Sequence, residues 1–291
     1  MRVLLFGNNG QLGWEFQCIL PSFGELVALD YEDLDLADLS ALQRTLDEIK
    51  PNLIVNASAY TAVDQAESHE DLAEAINGLA PGVMAEAARK SGALLLHFST
   101  DYVFDGSKGS SYVESDSTNP LNVYGRSKLA GERNIQQVGG AYVILRTSWV
   151  YSARGQSFVS KTLAWARKNR VLKIVSDQVG NPTWARSLAG TSALMLARAG
   201  DDMPDFFHQH GDLYHLAGSG HASRFEWAQE ILANDPNPDE QVVEVMESAL
   251  TVDFPVSAQR PLFSALDCSR FENEFGLCLP DWKQSLRLAL S

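Results

Sequence analysis

Residues 3–13 read Val-Leu-Leu-Phe-Gly-Asn-Asn-Gly-Gln-Leu-Gly, and the fold is decided by how they are read. The four apolar residues at 3–6 make a short buried strand. Glycines follow at Gly7, Gly10 and Gly13, and residues 11–20 continue as a helix. A strand passing through a glycine-rich turn into a helix aims unpaired N–H groups and the positive end of the helix dipole at one point, where an anion is favoured. Glycine is needed where the chain turns sharply and where backbone meets a pyrophosphate. The spacing is G-x-x-G-x-x-G, not G-x-G-x-x-G. A tight strand-to-helix turn without a ligand would also use glycine, but the position at the first strand–helix junction favours dinucleotide binding.

Working outward, short apolar runs at 26–29, 53–55, 93–98 and 142–145 alternate with helical patterns at 39–49, 72–90 and 123–137. Asp38 caps the first of these helices, Pro51 follows its end, and Gly92 closes the second. Apolar runs that are continuous rather than alternating belong to strands buried on both faces. The expectation is an α/β fold with a Rossmann-type doubly wound parallel sheet. The pattern then loosens, with helices at 158–168, 187–199 and 224–233, strands at 173–175 and 213–216, a turn at 218–220 and a loop at 234–240. We therefore expect a dinucleotide-binding domain over 1–150. Residues 151–291 form mainly a smaller α/β substrate-binding lobe, with some segments returning to the main sheet.

Composition narrows the function classes. The 291 residues carry 37 acidic and 23 basic side chains, a net charge of -14, which argues against nucleic acid as a partner. The first apolar run is too short for a signal peptide, and no run reaches membrane-spanning length. Three cysteines, Cys18, Cys268 and Cys278, have no metal-ligand spacing and suit a reducing compartment. A cytoplasmic protein without a membrane partner is expected.

Chemistry-bearing residues come next. Asp30 ends the second strand, where a carboxylate can take the adenosine ribose hydroxyls and repel a 2′-phosphate, favouring NADH over NADPH. Asp33 and Asp35 stand close enough to compete for that place. Tyr124 and Lys128, four apart, share one face at a helix start. A tyrosine with its ordinary pKa of about 10 gives up a proton more easily beside an ammonium. Thr100 stands at the end of the strand in Leu94-Leu95-Leu96-His97-Phe98-Ser99-Thr100, where ligands of doubly wound sheets bind. His97, within that strand, reads as a core histidine.

Taken together, G-x-x-G-x-x-G, S-T-D-Y-V-F-D-G at 99–106, P-L-N-V-Y-G-x-S-K-x-x-G-E at 120–132, R-T-S-W-V-Y at 146–151, D-Q-V-G-N-P-T at 177–183 and the segment from Pro255 through Arg260-Pro261 to Asp267 resemble the dTDP-4-dehydrorhamnose reductases of the extended short-chain dehydrogenases. The resemblance spans nearly the whole chain. It implies that Tyr124 is the proton donor, Lys128 its partner and Thr100 the hydroxyl at the carbonyl. It implies cofactor contacts at Gly10, Gln11 and Leu12, at Asp30, at Asp35 and Leu36, and at Ala59, Tyr60 and Thr61. Thr100, Asp101 and Trp149 match sugar-nucleotide contacts, although core packing is a fair rival explanation for Trp149.

The implied reaction is reduction of the C4 ketone of dTDP-4-dehydrorhamnose to dTDP-L-rhamnose with NADH or NADPH. Another nucleotide-sugar epimerase or dehydratase of the same family is the nearest alternative, and a non-catalytic dinucleotide-binding subunit a third. Some family members dimerise through magnesium held by acidic residues. Glu15 keeps one of these, but Arg186 and Leu188 stand where other carboxylates would, so magnesium is not expected and the chain is a monomer or a metal-independent homodimer.

Overall fold

The computed structural model describes residues 1–200 and 202–291. The chain opens with β1 (Arg2–Phe6), α1 (Gln11–Ile19), β2 (Glu25–Leu29), α2 (Leu39–Ile49) and β3 (Leu53–Asn56). It continues through α3 (Ala80–Ser91), β4 (Leu94–Thr100), α4 (Val123–Val138) and β5 (Tyr142–Thr147). A sixth strand, β6 (Leu213–His215), comes from much later in the sequence. All six are parallel, in the order β6–β5–β4–β3–β1–β2. After β1 the chain steps outward to β2 and then crosses back to β3. The strand order therefore reverses between β1 and β3, and a crevice opens beyond their carboxyl ends.

The sheet is buried on both faces because successive strand residues are apolar on both. Val3 and Leu5 pack with Phe16 and Leu188 on one side, while Leu4 and Phe6 pack with Leu42, Leu46 and Met84 on the other. Each fully buried side chain of this size contributes roughly 1.5–3 kcal/mol. The first face is covered partly by helices from the second half of the chain, Ala185–Arg198 and Ser269–Phe275. That half also holds its own aromatic core, in which Trp227 packs with Tyr151, Phe158 and Trp282.

The long helix expected over 72–90 is interrupted. Residues Glu74–Leu79 form a π-helical turn before α3 begins. Pro81 has no N–H to return to the Asn77 carbonyl, and Gly131 of α4 packs against that oxygen so closely that a Cβ would sit 2.2 Å from it. Some elements have no counterpart in the pattern-based reading. Strand Val245–Ala249 pairs in parallel with Val171–Val175, and it is mostly exposed, so its apolar signal is weak. Helices Met203–His210, Ser269–Phe275 and Trp282–Leu290 are short, and the last is capped by Asp281. Among the described residues no helix is long and apolar enough to cross a membrane.

Candidate functional site

A cleft of about 980 Å³ lies beyond the carboxyl ends of β1, β3 and β4. The glycine loop forms one wall. Gly7 has φ +83°, and a Cβ there would lie 2.8 Å from the Ser58 backbone nitrogen. At Gly13 a Cβ would lie 1.9 Å from the Gly7 carbonyl, so α1 can approach the loop only because Gly13 has no side chain. The Gly10 N–H donates to the Gly7 carbonyl at 3.1 Å. Gly7, Gly10, Gln11 and Leu12 line the cleft, whereas Gly13 packs behind it. Two side-chain oxygens lining the cleft, Gln11 Oε1 and Thr147 Oγ1, are buried without a partner in the chain. A glycine cradle at a helix N-terminus, with such unpaired polar atoms nearby, fits a dinucleotide.

The competing acids separate. Asp30 lines the cleft, accepting the Asn9 N–H at 2.8 Å and thereby anchoring the loop. Asp33 accepts the Asp30 N–H, and Asp35 accepts the Ala37 N–H at 2.9 Å in a turn. Asp35 and Leu36 lie off the cleft lining, Leu36 being buried in the core. Ala59 and Thr61 line the cleft, but Tyr60 does not. Its phenol meets His69 at 3.2 Å, while Asn77 of the π-helical turn holds its backbone N–H and carbonyl.

At the other end of the cleft β4 and α4 bring Thr100, Asp101, Tyr124 and Lys128 together. Asn122 caps α4 by accepting the Gly125 N–H, and so fixes where the Tyr124 turn begins. The Thr100 hydroxyl accepts the Tyr102 N–H at 3.1 Å, donates to Asp101 at 3.2 Å and reaches the Tyr124 phenol. Burial raises the Tyr124 phenol above its ordinary pKa, and the Lys128 side chain is not directed at it. The lysine turns away instead, its Nζ donating to the Phe98 carbonyl at 2.6 Å and lying 3.2 Å from His97 Nε2. Burial lowers the Lys128 ammonium to about 8. Burial also raises Asp101 to about 6, against hydrogen bonds from Ser264, Ser148 and Thr100.

Trp149 lines the same end with φ +45°, a backbone strain uncommon outside glycine. The Arg224 guanidinium lies 3.6 Å from its ring centroid, and Trp227 stacks beside it at 5.5 Å. Gly180 admits the ring, since a Cβ there would sit 2.6 Å from it. Arg224, Gly180 and Arg260, which pairs with Asp64 at 2.7 Å, were not singled out from the sequence as site residues. The D-Q-V-G-N-P-T string and Arg260-Pro261 were the available signals, and only three-dimensional packing shows their place. Glu15 of α1, itself buried, pairs with the exposed Arg186 at 3.2 Å. No group of three or more His, Cys, Asp or Glu among the described residues could hold a metal ion.

Comparison with known proteins agrees with this geometry. The family model described as the RmlD substrate binding domain matches residues 1–291. The dTDP-4-dehydrorhamnose reductase of Burkholderia thailandensis is 40% identical, with 100% of this chain and 98% of the relative covered. The chain belongs to the dTDP-4-dehydrorhamnose reductase family. Another member, from Escherichia coli K12, is 37% identical over 100% of this chain and 97% of its own. Among solved structures, a family member from Clostridium acetobutylicum superposes with TM-score 0.90 at 34% identity, covering 100% of this chain and 98% of its own. The Bacillus anthracis reductase, solved in complex with NADP, gives 0.86 at 33%, covering 99% and 98%. A Thermus thermophilus UDP-glucose 4-epimerase in complex with NAD gives 0.77 at 19% identity and shares the fold, covering 100% of this chain and 98% of its own.

Proposed function

We propose that the chain reduces the C4 ketone of dTDP-4-dehydrorhamnose to dTDP-L-rhamnose, using a nicotinamide dinucleotide. The observation that carries this reading is the joining, in one cleft, of the glycine cradle with Thr100, Tyr124 and Lys128 in a chain related over its full length to reductases of this name.

The glycine loop and the start of α1 would hold the pyrophosphate, and Asp30 the adenosine ribose. When bound, the reduced nicotinamide supplies a hydride to the ketone carbon. Tyr124 donates its proton to the carbonyl oxygen, which Thr100 holds in place, so that the charge developing on oxygen is neutralised as it forms. A buried phenol of raised pKa keeps its proton until that oxygen becomes basic. Lys128, one helical turn behind Tyr124, would hold the nicotinamide ribose when the dinucleotide is bound. Trp149, stacked against Arg224 and Trp227, is a flat wall for the sugar or the base, with Asp101 beside it. Residues 1–150 carry most of the dinucleotide side and residues 151–291 most of the substrate side.

NADH is at least usable, because Asp30 lines the cleft and the glycine loop carries Asn8 rather than a cation. Magnesium has no part in assembly, since the Arg186 guanidinium already occupies the Glu15 carboxylate. The test is direct. Purified protein mixed with the reduced dinucleotide and dTDP-4-dehydrorhamnose should consume both in equal amounts. Turnover without net consumption of the dinucleotide would instead make the chain an epimerase or dehydratase.

A further inference from the structure

Asn56, His97 and Lys128 form a buried row linking β3, β4 and α4, none of them more than 2% exposed. Hydrogen-bond parity assigns their protons. The Ser58 backbone N–H, 3.2 Å from Asn56 Oδ1, can only donate, so the amide oxygen must face it; the Ser58 hydroxyl donates to the same oxygen at 2.7 Å. The amide nitrogen therefore faces His97 Nδ1, at 3.0 Å, and an amide nitrogen has no lone pair to offer. Nδ1 must accept. Burial holds His97 well below its ordinary pKa, so the ring is neutral and its single proton sits on Nε2. That N–H lies 3.2 Å from Lys128 Nζ. Against an ammonium it would set two donors face to face. Against an amine it makes a hydrogen bond, while a lysine N–H still donates to the Phe98 carbonyl.

We infer that Asn56 and His97 are positioning residues that weaken the hold of Lys128 on its proton and favour its amine form. One neighbour opposes this, the Glu132 carboxylate, which favours the ammonium, but burial outweighs it. Glu132, one turn further along α4, is held by Arg146 at 2.9 and 2.6 Å and by the Ser99 hydroxyl. Tyr124 is protonated, and Ser58, Asn77 and Ser127 are neutral. Burial already brings the lysine down to about 8, and the hydrogen bond from His97 acts in the same direction. The consequence for turnover rests on the proposed reduction. After Tyr124 has given its proton to the product oxygen, the lysine takes a proton from solvent and returns one to the tyrosine. The lysine then returns to the amine.

The ring tautomer can be read by nitrogen NMR on protein with labelled histidine, the His97→Gln spectrum identifying the signal. The proton of His97 should lie on Nε2 across neutral pH. Asn56→Asp puts an acceptor at Nδ1, draws the proton there and leaves Nε2 to accept from lysine. Lys128 should then bind its proton at least about tenfold more tightly, read as an upward move of its ionisation in the pH profile of kcat/KM for the reduced dinucleotide. His97→Gln, whose carbonyl can accept from the lysine, should move it the same way even if Asn56→Asp does not fold. A proton on Nδ1 in the wild type, or an unmoved lysine ionisation in every variant that folds, overturns the inference. Absence of reductase activity in a wild type whose His97 carries its proton on Nε2 would refute the proposed reaction and leave the tautomer assignment standing.

Discussion

The two ends of the cleft are built on opposite principles. The dinucleotide end is made by leaving atoms out: Gly7 and Gly13 sit where a Cβ would strike backbone 2.8 and 1.9 Å away. The catalytic end is made by burying polar atoms and pairing them, as with Lys128 on the Phe98 carbonyl and Glu132 on Arg146. The first therefore tolerates no added volume and the second no lost partner. Their failures should separate, one appearing in folding and dinucleotide binding, the other in rate and pH dependence.

The largest expected effect lies at the catalytic end. Tyr124→Phe removes only the transferable proton, and turnover should fall roughly a hundred- to ten-thousand-fold. The dissociation constant for the reduced dinucleotide, measured by titration, should stay within about threefold, a change worth less than 1 kcal/mol. If binding collapsed too, the two ends would not be separable. At the dinucleotide end, Gly13→Ala should cost about 3 kcal/mol of stability or more, because the methyl meets backbone that cannot rotate away. Denaturant unfolding would show it, and a variant as stable as the wild type would break the argument from volume.

A third test uses the raised Asp101 carboxyl. A carboxyl whose pKa is about 6 in the fold and 3.8 in the unfolded chain disfavours folding once it is ionised in both. The penalty is absent below about pH 3.8, builds as pH rises from there to about 6, and is full above that. Relative to Asp101→Asn, the wild type should therefore lose up to about 3 kcal/mol as pH rises from below 3.8 to above 6. A pH-independent difference from chemical denaturation would count against it.

A smaller effect concerns the adenosine end. With Asp30 in place, steady-state kinetics should give a preference for NADPH of no more than about tenfold, equivalent to 1.4 kcal/mol. A larger preference would mean that some cation neutralises the 2′-phosphate despite Asp30. The smallest expected effect is none. Light scattering with EDTA and with added MgCl2 should give one mass, because the Glu15 carboxylate is buried against Arg186 and is not free for the ion. A dimer that dissolves in EDTA and returns with magnesium would contradict this.

The dinucleotide end was the more legible in sequence. Glycine has few reasons to recur between a strand and a helix, and Val3 through Gly13 describe most of that wall unaided. Asp30 was harder to single out, because only the Asn9 N–H distinguishes it from Asp33 and Asp35. Tyr124, Lys128 and Thr100 were legible through their spacing and the family strings. His97 was read as core, and it is fully buried, but its contact with Lys128 depends on the β3–β4–α4 arrangement and leaves no local pattern. Arg224 and Gly180 escaped for the same reason. The π-helical turn escaped because Pro81 lies inside an alanine-rich stretch whose apolar periodicity continues on both sides of it.

The placement of β6 has a consequence for how the protein is made. Until residue 215 has emerged from the ribosome, β5 remains an open sheet edge, with no strand to accept its backbone bonds. Val143 and Leu145 lose still more cover, because Phe271, Phe275 and Leu279 on their face are synthesised later still. The nascent chain thus carries an unfinished apolar sheet from the completion of β5 at Thr147 until Leu279 has been made, when association between chains is easiest. Fragments ending near residue 150 should be insoluble for that reason, however complete their glycine loop, whereas circular permutants that place β6 early should shorten the exposed interval.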